Sequence, residues 1–203
     1  MAEEVRRRNK KKETEKMDWK QSVVLYLHDL LIMLAVIMIV FLLVFRVIVV
    51  SGSSMYSTLI DGDYLLLVSN LFYREPQYGD IIVASKESFD DGKPIIKRVI
   101  ATEGQAVDID FEAGIVYVDG EALEEPYTYT PTNIEEGMDF PLTVEENCVF
   151  AMGDNRNRSH DSRSRDIGLI DRREILGKAI YLFLPGTDEG HAGPDYERMG
   201  AIK

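Results

Sequence analysis

A long apolar segment near the N-terminus constrains the fold of this chain most. Leu30 to Phe45 are sixteen uninterrupted apolar residues, and four more follow Arg46. A helix of the 21 residues from Leu30 to Val50 would be about 31 Å long, enough to cross a hydrocarbon core of roughly 30 Å. The segment therefore predicts a membrane-spanning helix, with Arg46 near its end, where a long side chain can reach the interface.

Two other structures pass the same test of apolar length. A helix buried in a protein core would need a larger surrounding domain than the rest of this chain offers. A cleavable signal peptide would use the small residues 51–53 as its cleavage site, but the apolar segment exceeds the roughly 7–15 residues usual there. We therefore expect an uncleaved anchor.

The net charge of −12 divides unevenly along the chain. Residues 1–20 carry eight basic and five acidic side chains, a charge of +3, whereas the remainder carries −15. Because basic residues favour the inner side of a membrane, the N-terminus is expected in the cytoplasm and residues 51–203 outside it. The acidic balance argues against a nucleic-acid partner. One cysteine and three histidines exclude an intramolecular disulfide and a Cys/His zinc cluster.

From residue 51 onward, short apolar runs alternate with turn residues. The runs predict strands at 64–68, 81–84, 95–100, 107–111, 115–118, 149–152 and 176–184. With no long helical pattern there, we expect a mainly β, antiparallel domain preceded by one transmembrane helix. The chain then divides into a basic arm (1–22), an anchor (23–50), a domain (51–185) with a reduced ribbon or loop at about 104–147, and a loose tail (186–203).

Three segments of the predicted domain are candidates for chemistry, two polar ones and one apolar run that contains Lys97. Residues 51–59 follow the apolar segment and begin with four serines in seven residues. Residues 152–163 are dense in Asp, Asn, Arg and Ser, which can satisfy their own backbone in turns and pair in bidentate fashion. By composition alone, residues 51–59 are typical of a flexible loop, and residues 152–163 are typical of a solvated surface loop.

Lys97 lies in the third segment, the apolar run from Ile95 to Ile100. Alternate residues of a strand share a face, so either Lys97 or Arg98 must point into an apolar face. Burial lowers the pKa of lysine toward neutrality, and a neutral amine can serve as general base for a serine hydroxyl. The alternative is a lysine that reaches water at a strand edge.

Together these segments resemble the bacterial type I signal peptidases, a family of membrane-anchored Ser-Lys endopeptidases. Three motifs carry the resemblance, in order after a single span: Ser54-Met55 with Thr58-Leu59, then Lys97-Arg98-Val99, then the run from Gly153 to Arg163. The resemblance implies an enzyme that removes signal peptides from exported preproteins, without metal or cofactor. It implies preproteins and the lipid membrane as partners, with the protein secretion machinery as a further candidate.

The resemblance also implies roles for individual residues. Ser54 corresponds to the nucleophile, Lys97 to the general base, and Ser159 to a serine that hydrogen-bonds to the lysine and orients it. The residues implied to hold the site together are Asp154, Asp161, Arg163 and Arg98. Shallow apolar pockets for small substrate side chains are expected to be lined by Ile48, Val50, Val83 and Ile96.

The chain departs from the family pattern at three places. Ser57 stands where the family usually has proline before Thr-Leu, so the turn loses a fixed φ. Gly52 stands where some members have a serine whose hydroxyl stabilises the oxyanion. Residues 100–105 lack the usual Gly-x-Pro-Gly-Asp-like turn. These changes predict altered efficiency and substrate range within the same reaction class.

Two different functions remain open from the residues. A Ser-His-Asp arrangement could use His160 and Asp161, although neighbours on an extended chain point apart. A non-catalytic, membrane-anchored binding module could use the acidic segment 121–146 as its contact surface, but it would have no need for the serines and the lysine of the motifs.

Overall fold

The computed structural model describes residues 1, 3–8, 19–87, 89–188 and 193–202. The chain divides into two compact units, Met1–Leu43 and Val44–Lys203. Most of the predicted basic arm, residues 9–18, lies outside the described residues.

One long apolar helix, α1, extends over Trp19–Val44. Its segment Gln21–Val44 is long and apolar enough to cross a membrane, and its apolar side chains are exposed. A helix that is apolar on every face needs an apolar environment on every face, which lipid provides. The structure thus confirms a single N-terminal apolar helix ahead of a β domain.

The end of this helix differs from the sequence-based expectation. The apolar pattern predicted a span through Val50, with Arg46 inside it, but α1 ends at Val44 and Phe45–Val49 form strand β1. This strand pairs with residues 64–68, from Phe45 opposite Val68 to Val49 opposite Tyr64. Its β-branched residues suit a strand, and the ladder satisfies the backbone groups that a helix would otherwise pair internally.

The β domain is built on one large antiparallel sheet. After β1, its strands are β2 (Tyr64–Ser69), β3 (Ile81–Ser85), β4 (Pro94–Thr102), β9 (Cys148–Met152), β10 (Ile170–Asp171), β11 (Ile175–Leu184) and β12 (Gly200–Ala201). They lie side by side in the order β1, β2, β11, β3, β4, β9 and β10, and β12 pairs with β11. The central strand for the site is β4, between β3 and β9.

A smaller antiparallel sheet contains the expected hairpin of β5 (Ala106–Asp110) and β6 (Ile115–Val118), with Val107 opposite Val118. Short strands flank it, β7 (Glu121–Ala122) beside β6 and β8 (Leu142–Thr143) beside β5. Much of the chain between β7 and β8 is irregular, as its prolines and weak periodicity predict.

Strand β4 is covered on both faces. Ile96 packs in one apolar cluster with Val83, Val99 packs in a second, and Ile100 packs in a third with Phe150. As a result both basic residues of the strand are buried: Lys97 is 4% exposed and Arg98 is 2% exposed. The period-two pattern anticipated one buried cation, and the structure holds two.

The tail is not loose where the structure describes it. Residues Tyr196–Arg198 form a short 3₁₀ turn, and β12 pairs with Tyr181 and Leu182 of β11. Ile202 packs against the same apolar cluster as Val83. Apolar contact and main-chain pairing therefore order a segment that composition alone predicted to be loose.

Candidate active site

Ser54 lies in a tight loop between β1 and β2, which we call the serine loop (residues 50–63). The loop is closed at its base by two main-chain bonds, Val50 N to Asp63 O at 2.8 Å and Gly62 N to Val50 O at 2.9 Å. Met55 and Leu59 each point into the core and are 1% exposed. Ser54 directly precedes the first of these two anchors and is half-buried.

Strand β4 brings Lys97 against the serine loop. The Lys97 Nζ lies 2.9 Å from Ser54 Oγ, and it also donates to the main-chain oxygen of Ile96 at 3.0 Å. Burial lowers the pKa of Lys97 from 10.5 to about 8, against the opposing effect of the nearby Asp161 and Glu136 carboxylates. A pKa of about 8 keeps part of the amine neutral near physiological pH, and a neutral amine in contact with a hydroxyl is the arrangement that a general base needs.

The first supporting pair is Arg98 with Asp154, both buried. The guanidinium grips the carboxylate in bidentate fashion, with Nε to Oδ1 at 2.9 Å and Nη2 to Oδ2 at 2.8 Å. Thr58 of the serine loop donates its hydroxyl to Asp154 Oδ2 at 2.5 Å. The pair therefore fastens the serine loop to β4.

The second supporting pair is Asp161 with Arg163, and both side chains are fully buried. Arg163 donates through Nε to Oδ1 at 2.8 Å and through Nη2 to Oδ2 at 2.9 Å, and the Gly153 amide adds a bond to Oδ2 at 3.0 Å. Although burial opposes ionisation, these bonds hold the pKa of Asp161 below its ordinary value. The Asp161 carboxylate is therefore a fixed negative charge, and it partly offsets the lowering of the Lys97 pKa by burial.

Ser159 is buried close to these groups. A methyl group on Gly153 would overlap both Ser159 Oγ and the main-chain oxygen of Ser54, so the three residues are in close contact. Ser159 also lies beside the Asp161 carboxylate, but its hydroxyl makes no well-formed hydrogen bond with the described residues. The structure thus places Ser159 in the site without the predicted bond to Lys97, and its orienting role remains a prediction.

The four residues expected to line substrate pockets do come together. Val50, Val83 and Ile96 belong to one apolar cluster, and Ile48 packs against it. Val83 has no exposed surface and the other two clustered residues have little, so a substrate side chain would first meet Ile48 at the edge. Their contact with substrate remains a prediction.

The rival Ser-His-Asp arrangement is not assembled. His160 Nε2 lies 3.0 Å from Ser164 Oγ, its ring stacks on Phe89 at 5.2 Å, and Glu136 lies 3.5 Å from Nδ1. Asp161, the third member of that rival, pairs with Arg163 instead. The contacts of the described residues thus favour Lys97 over His160 as the partner of Ser54.

Gly52 adopts a backbone conformation that explains its identity. Its φ is +90°, a region that side chains with a Cβ disfavour, and its amide donates to Asp61 Oδ1 at 2.7 Å. A Cβ at this position would meet no atom within 4 Å. The backbone conformation, rather than lack of space, therefore favours glycine where some family members carry serine.

Several contributors to the site carry no clear sequence signal. Asn155 donates through its amide N–H to Ser54 O and through Nδ2 to Ser53 O, each at 3.0 Å. Arg156, 1% exposed, pairs with Glu125 at 2.6 Å. Tyr127 covers Arg98, whose Cζ lies 4.0 Å from the ring centroid. These partners are 28 or more residues away in sequence or lie in a motif with many equivalent polar residues, so only the tertiary fold singles them out.

An open cleft of about 640 Å³ lies beside the serine loop. Its lining includes Gly52, Ser53, Tyr56, Tyr129 and Asn155. Two of its lining residues are neighbours of Ser54: Ser53 precedes it in the chain, and the amide of Asn155 donates to its main-chain oxygen. Among the described residues, no group of three or more His, Cys, Asp or Glu side chains is placed to hold a metal ion.

Comparison with known proteins identifies the family. Residues 23–184 match the family described as signal peptidase, peptidase S26, so the chain belongs to that family and is a peptidase. It is 36% identical over 151 residues to the probable signal peptidase I-1 of Synechocystis sp., covering 71% of this chain and 74% of that protein. It is 32% identical over 184 residues to signal peptidase I T of Bacillus subtilis, covering 87% and 89%.

A solved structure of a signal peptidase I from Enterococcus faecalis V583 is also similar. It shares 30% sequence identity with this chain and superposes with a TM-score of 0.42. The similarity covers 51% of this chain and 96% of that one.

Proposed function

We propose that this chain is a type I signal peptidase in which Ser54 is the nucleophile and Lys97 is the general base. The observation that carries the assignment is the 2.9 Å contact between Lys97 Nζ and Ser54 Oγ, made by a lysine that is only 4% exposed. Membership of the signal peptidase family supports the reaction class. The names of the relatives support signal-peptide-bearing preproteins as substrates.

Acylation begins with neutral Lys97. Its Nζ takes the proton of Ser54 as Oγ forms a bond to the scissile carbonyl carbon, and the carbonyl oxygen becomes an oxyanion. The main-chain N–H of Ser54 is the proposed oxyanion donor. When the C–N bond breaks, the Lys97 ammonium returns its proton to the leaving amine of the mature protein.

Deacylation uses the same lysine. A water molecule gives a proton to neutral Lys97 while its oxygen attacks the ester carbon of the acyl-enzyme. As the ester C–O bond breaks, the proton passes to Ser54 Oγ, and the signal peptide leaves with a new carboxyl group. The lysine ends each half-reaction neutral, so one group with a pKa of about 8 serves both steps.

The supporting residues act through position and charge. Arg98 and Asp154 hold the serine loop against β4 through Thr58. Asp161, fixed by Arg163, stabilises the Lys97 ammonium that forms during each half-reaction. Neither pair takes part in bond breaking in this mechanism.

The apolar helix α1 would locate the enzyme at the membrane. We propose that α1 spans the membrane with the N-terminus in the cytoplasm, because the basic arm precedes the helix. The β domain then works at the outer membrane surface. A preprotein's own apolar segment would bring its cleavage site to that surface, which raises the effective concentration without further contacts.

Cleavage of a preprotein tests the proposal. Detergent-solubilised full-length protein, as wild type and as Ser54→Ala, is incubated with a preprotein that carries an Ala-x-Ala site. We expect the mature product with wild type only, and sequencing of its N-terminus places the cut. Equal cleavage by the Ser54→Ala variant would refute the nucleophile, and no cleavage by either protein would favour the binding module.

A further inference from the structure

A buried carboxylate closes the base of the serine loop. Asp63, the last residue of the loop, has no exposed surface. Its main-chain oxygen accepts from Val50 N at 2.8 Å, and its Oδ2 accepts from Ile60 N at 2.9 Å. A buried carboxylate with only neutral donors is costly, so this position requires a cation.

The cation comes from the far end of the chain. Arg198 donates through Nη1 to Asp63 Oδ1 at 2.9 Å and through Nη2 to Oδ2 at 2.7 Å. Its Nη2 also reaches the main-chain oxygen of Thr58 at 3.3 Å. The arginine therefore touches the serine loop at two points, its closing carboxylate and a carbonyl four residues after Ser54.

The segment that carries Arg198 is docked on the β domain. Gly186 N donates to Asp63 Oδ1 at 2.8 Å, and a methyl group on Gly186 would overlap the Asp61 carbonyl. Further along, Ile202 N donates to Ile180 O at 3.0 Å. We call the contact of Arg198 with Asp63 and Thr58 the clamp. Because the family match covers residues 23–184, Arg198 lies outside it while its two partners lie inside.

Thr58 connects this clamp to the reacting hydroxyl. Its carbonyl oxygen accepts from Arg198, and its hydroxyl donates to Asp154 at 2.5 Å, so the residue is held from two sides. The bond from Leu59 N to Met55 O, 2.9 Å, closes the turn that begins beside Ser54. Movement of Thr58 would therefore move Ser54 relative to Lys97.

We propose that Arg198 is a positioning residue, which neutralises Asp63 and thereby holds Ser54 Oγ within reach of Lys97. This inference rests on the proposed function, since it assigns a role in the same reaction. Loss of the guanidinium leaves Asp63 as a buried anion without this counter-charge, a cost that opening of the serine loop to water would relieve. A shift of about 1 Å at a reacting group can cost about a hundredfold in rate.

The test compares two arginines that each grip an aspartate in bidentate fashion. Arg173 pairs with Asp171 at 2.6 Å but is 89% exposed and does not touch the serine loop. Full-length Arg198→Met and Arg173→Met are assayed on the same preprotein, and amide exchange is followed by mass spectrometry. For Arg198→Met we expect kcat to fall about 10- to 100-fold with KM within threefold, and faster exchange confined to residues 50–63. Arg173→Met is expected to match wild type in both measurements.

Arg198→Lys is the second variant, and it decides the matter if Arg198→Met does not fold. Lysine keeps the charge and loses the bidentate fork, so we expect kcat to fall about tenfold relative to wild type, the lower end of the range for the methionine variant, with faster exchange again confined to residues 50–63. Unchanged kcat in the Arg198 variants would overturn the proposal. A loss of kcat would also overturn it if amide exchange were unchanged, or if exchange were faster throughout the domain and not only in residues 50–63. Full activity of Ser54→Ala would instead refute the proposed function, while local exchange would still report on the clamp.

Discussion

The Nζ of Lys97 lies 2.9 Å from the Oγ of Ser54, and the lysine that makes this contact is 4% exposed. Replacing Lys97 with Met keeps most of the buried volume and removes the proposed base. We expect Lys97→Met to lower preprotein cleavage by about 10²- to 10⁴-fold, the range typical of a lost general base. The measurement is kcat/KM on a preprotein, with circular dichroism to show that the variant is folded.

His160→Ala is the matched control for the rival mechanism. Because His160 contacts Ser164 and Phe89 rather than Ser54, most activity should remain. Abolished cleavage in His160→Ala together with a functional Lys97→Met would assign the base to histidine.

Activity should rise with pH through the titration of Lys97. Only the neutral amine accepts the Ser54 proton, and burial brings the pKa of Lys97 to about 8. We therefore expect kcat/KM to increase about tenfold for each pH unit well below 8 and to level off above it. A profile measured from pH 6 to 10 checks this. A profile that is flat across pH 8, or that falls there, would contradict Lys97 as the base.

The same shift makes a prediction about stability. The pKa of Lys97 is about 8 in the folded protein and near 10.5 when unfolded, so below pH 8 the folded state carries the full cost of burying the charge, about 3 kcal/mol. Stability gains from this residue as pH rises from 8 toward 10.5, because the unfolded state then holds more protons. Lys97→Met should therefore be more stable than wild type at pH 7, and the difference should shrink at pH 10.

Thermal unfolding of the detergent-solubilised protein at both pH values measures this difference. Lys93→Met serves as control, since Lys93 is 71% exposed in its pair with Asp90. The same gain in Tm at pH 7 and at pH 10 would count against a depressed pKa at Lys97.

Much of the β domain could be predicted because its strands have local signatures. The seven apolar runs are all strands in the structure, with bounds that differ by at most two residues. The end of α1 could not be predicted from the same pattern, since residues 45–49 are as apolar as the helix and only their partner β2 makes them a strand. The two-residue strands β7, β8, β10 and β12 lack a periodic signal for the same reason.

The site divides in a similar way. Ser54 and Lys97 stand in motifs specific enough to be named from the sequence, and the structure brings them together. The Arg98–Asp154 pair likewise joins two motifs, since Arg98 follows Lys97 and Asp154 lies in the run from Gly153 to Arg163. Arg198 could not be found this way, because a lone arginine in a Gly-rich polar tail has no pattern, and its buried partner Asp63 is 135 residues away. Burial of that carboxylate is a property of the fold alone.

The Arg98–Asp154 pair should be costly to break from one side. Both side chains are buried, so Asp154→Ala removes the carboxylate that pairs with the Arg98 guanidinium and leaves that buried cation without this counter-charge. We expect a loss of about 3–5 kcal/mol in the free energy of unfolding, together with lower activity because Thr58 loses its acceptor. Chemical denaturation and the cleavage assay give the two values.

Lys93→Ala removes one partner of an exposed pair and is the control for this prediction. Its effect should stay within about 1 kcal/mol. If Asp154→Ala destabilised no more than this control, the pair would not be holding the serine loop.

Gly153 should be sensitive to a single methyl group. A Cβ there would overlap Ser159 Oγ and the main-chain oxygen of Ser54, so Gly153→Ala must displace the serine, the loop or both. We expect at least a tenfold loss of kcat, since small displacements of a nucleophile are costly in rate. Gly200→Ala is the matched control, because a Cβ at Gly200 meets no atom within 4 Å and its φ is not positive. Equal activity of the two variants in the preprotein assay would show that the contact between Gly153 and Ser54 does not position the nucleophile.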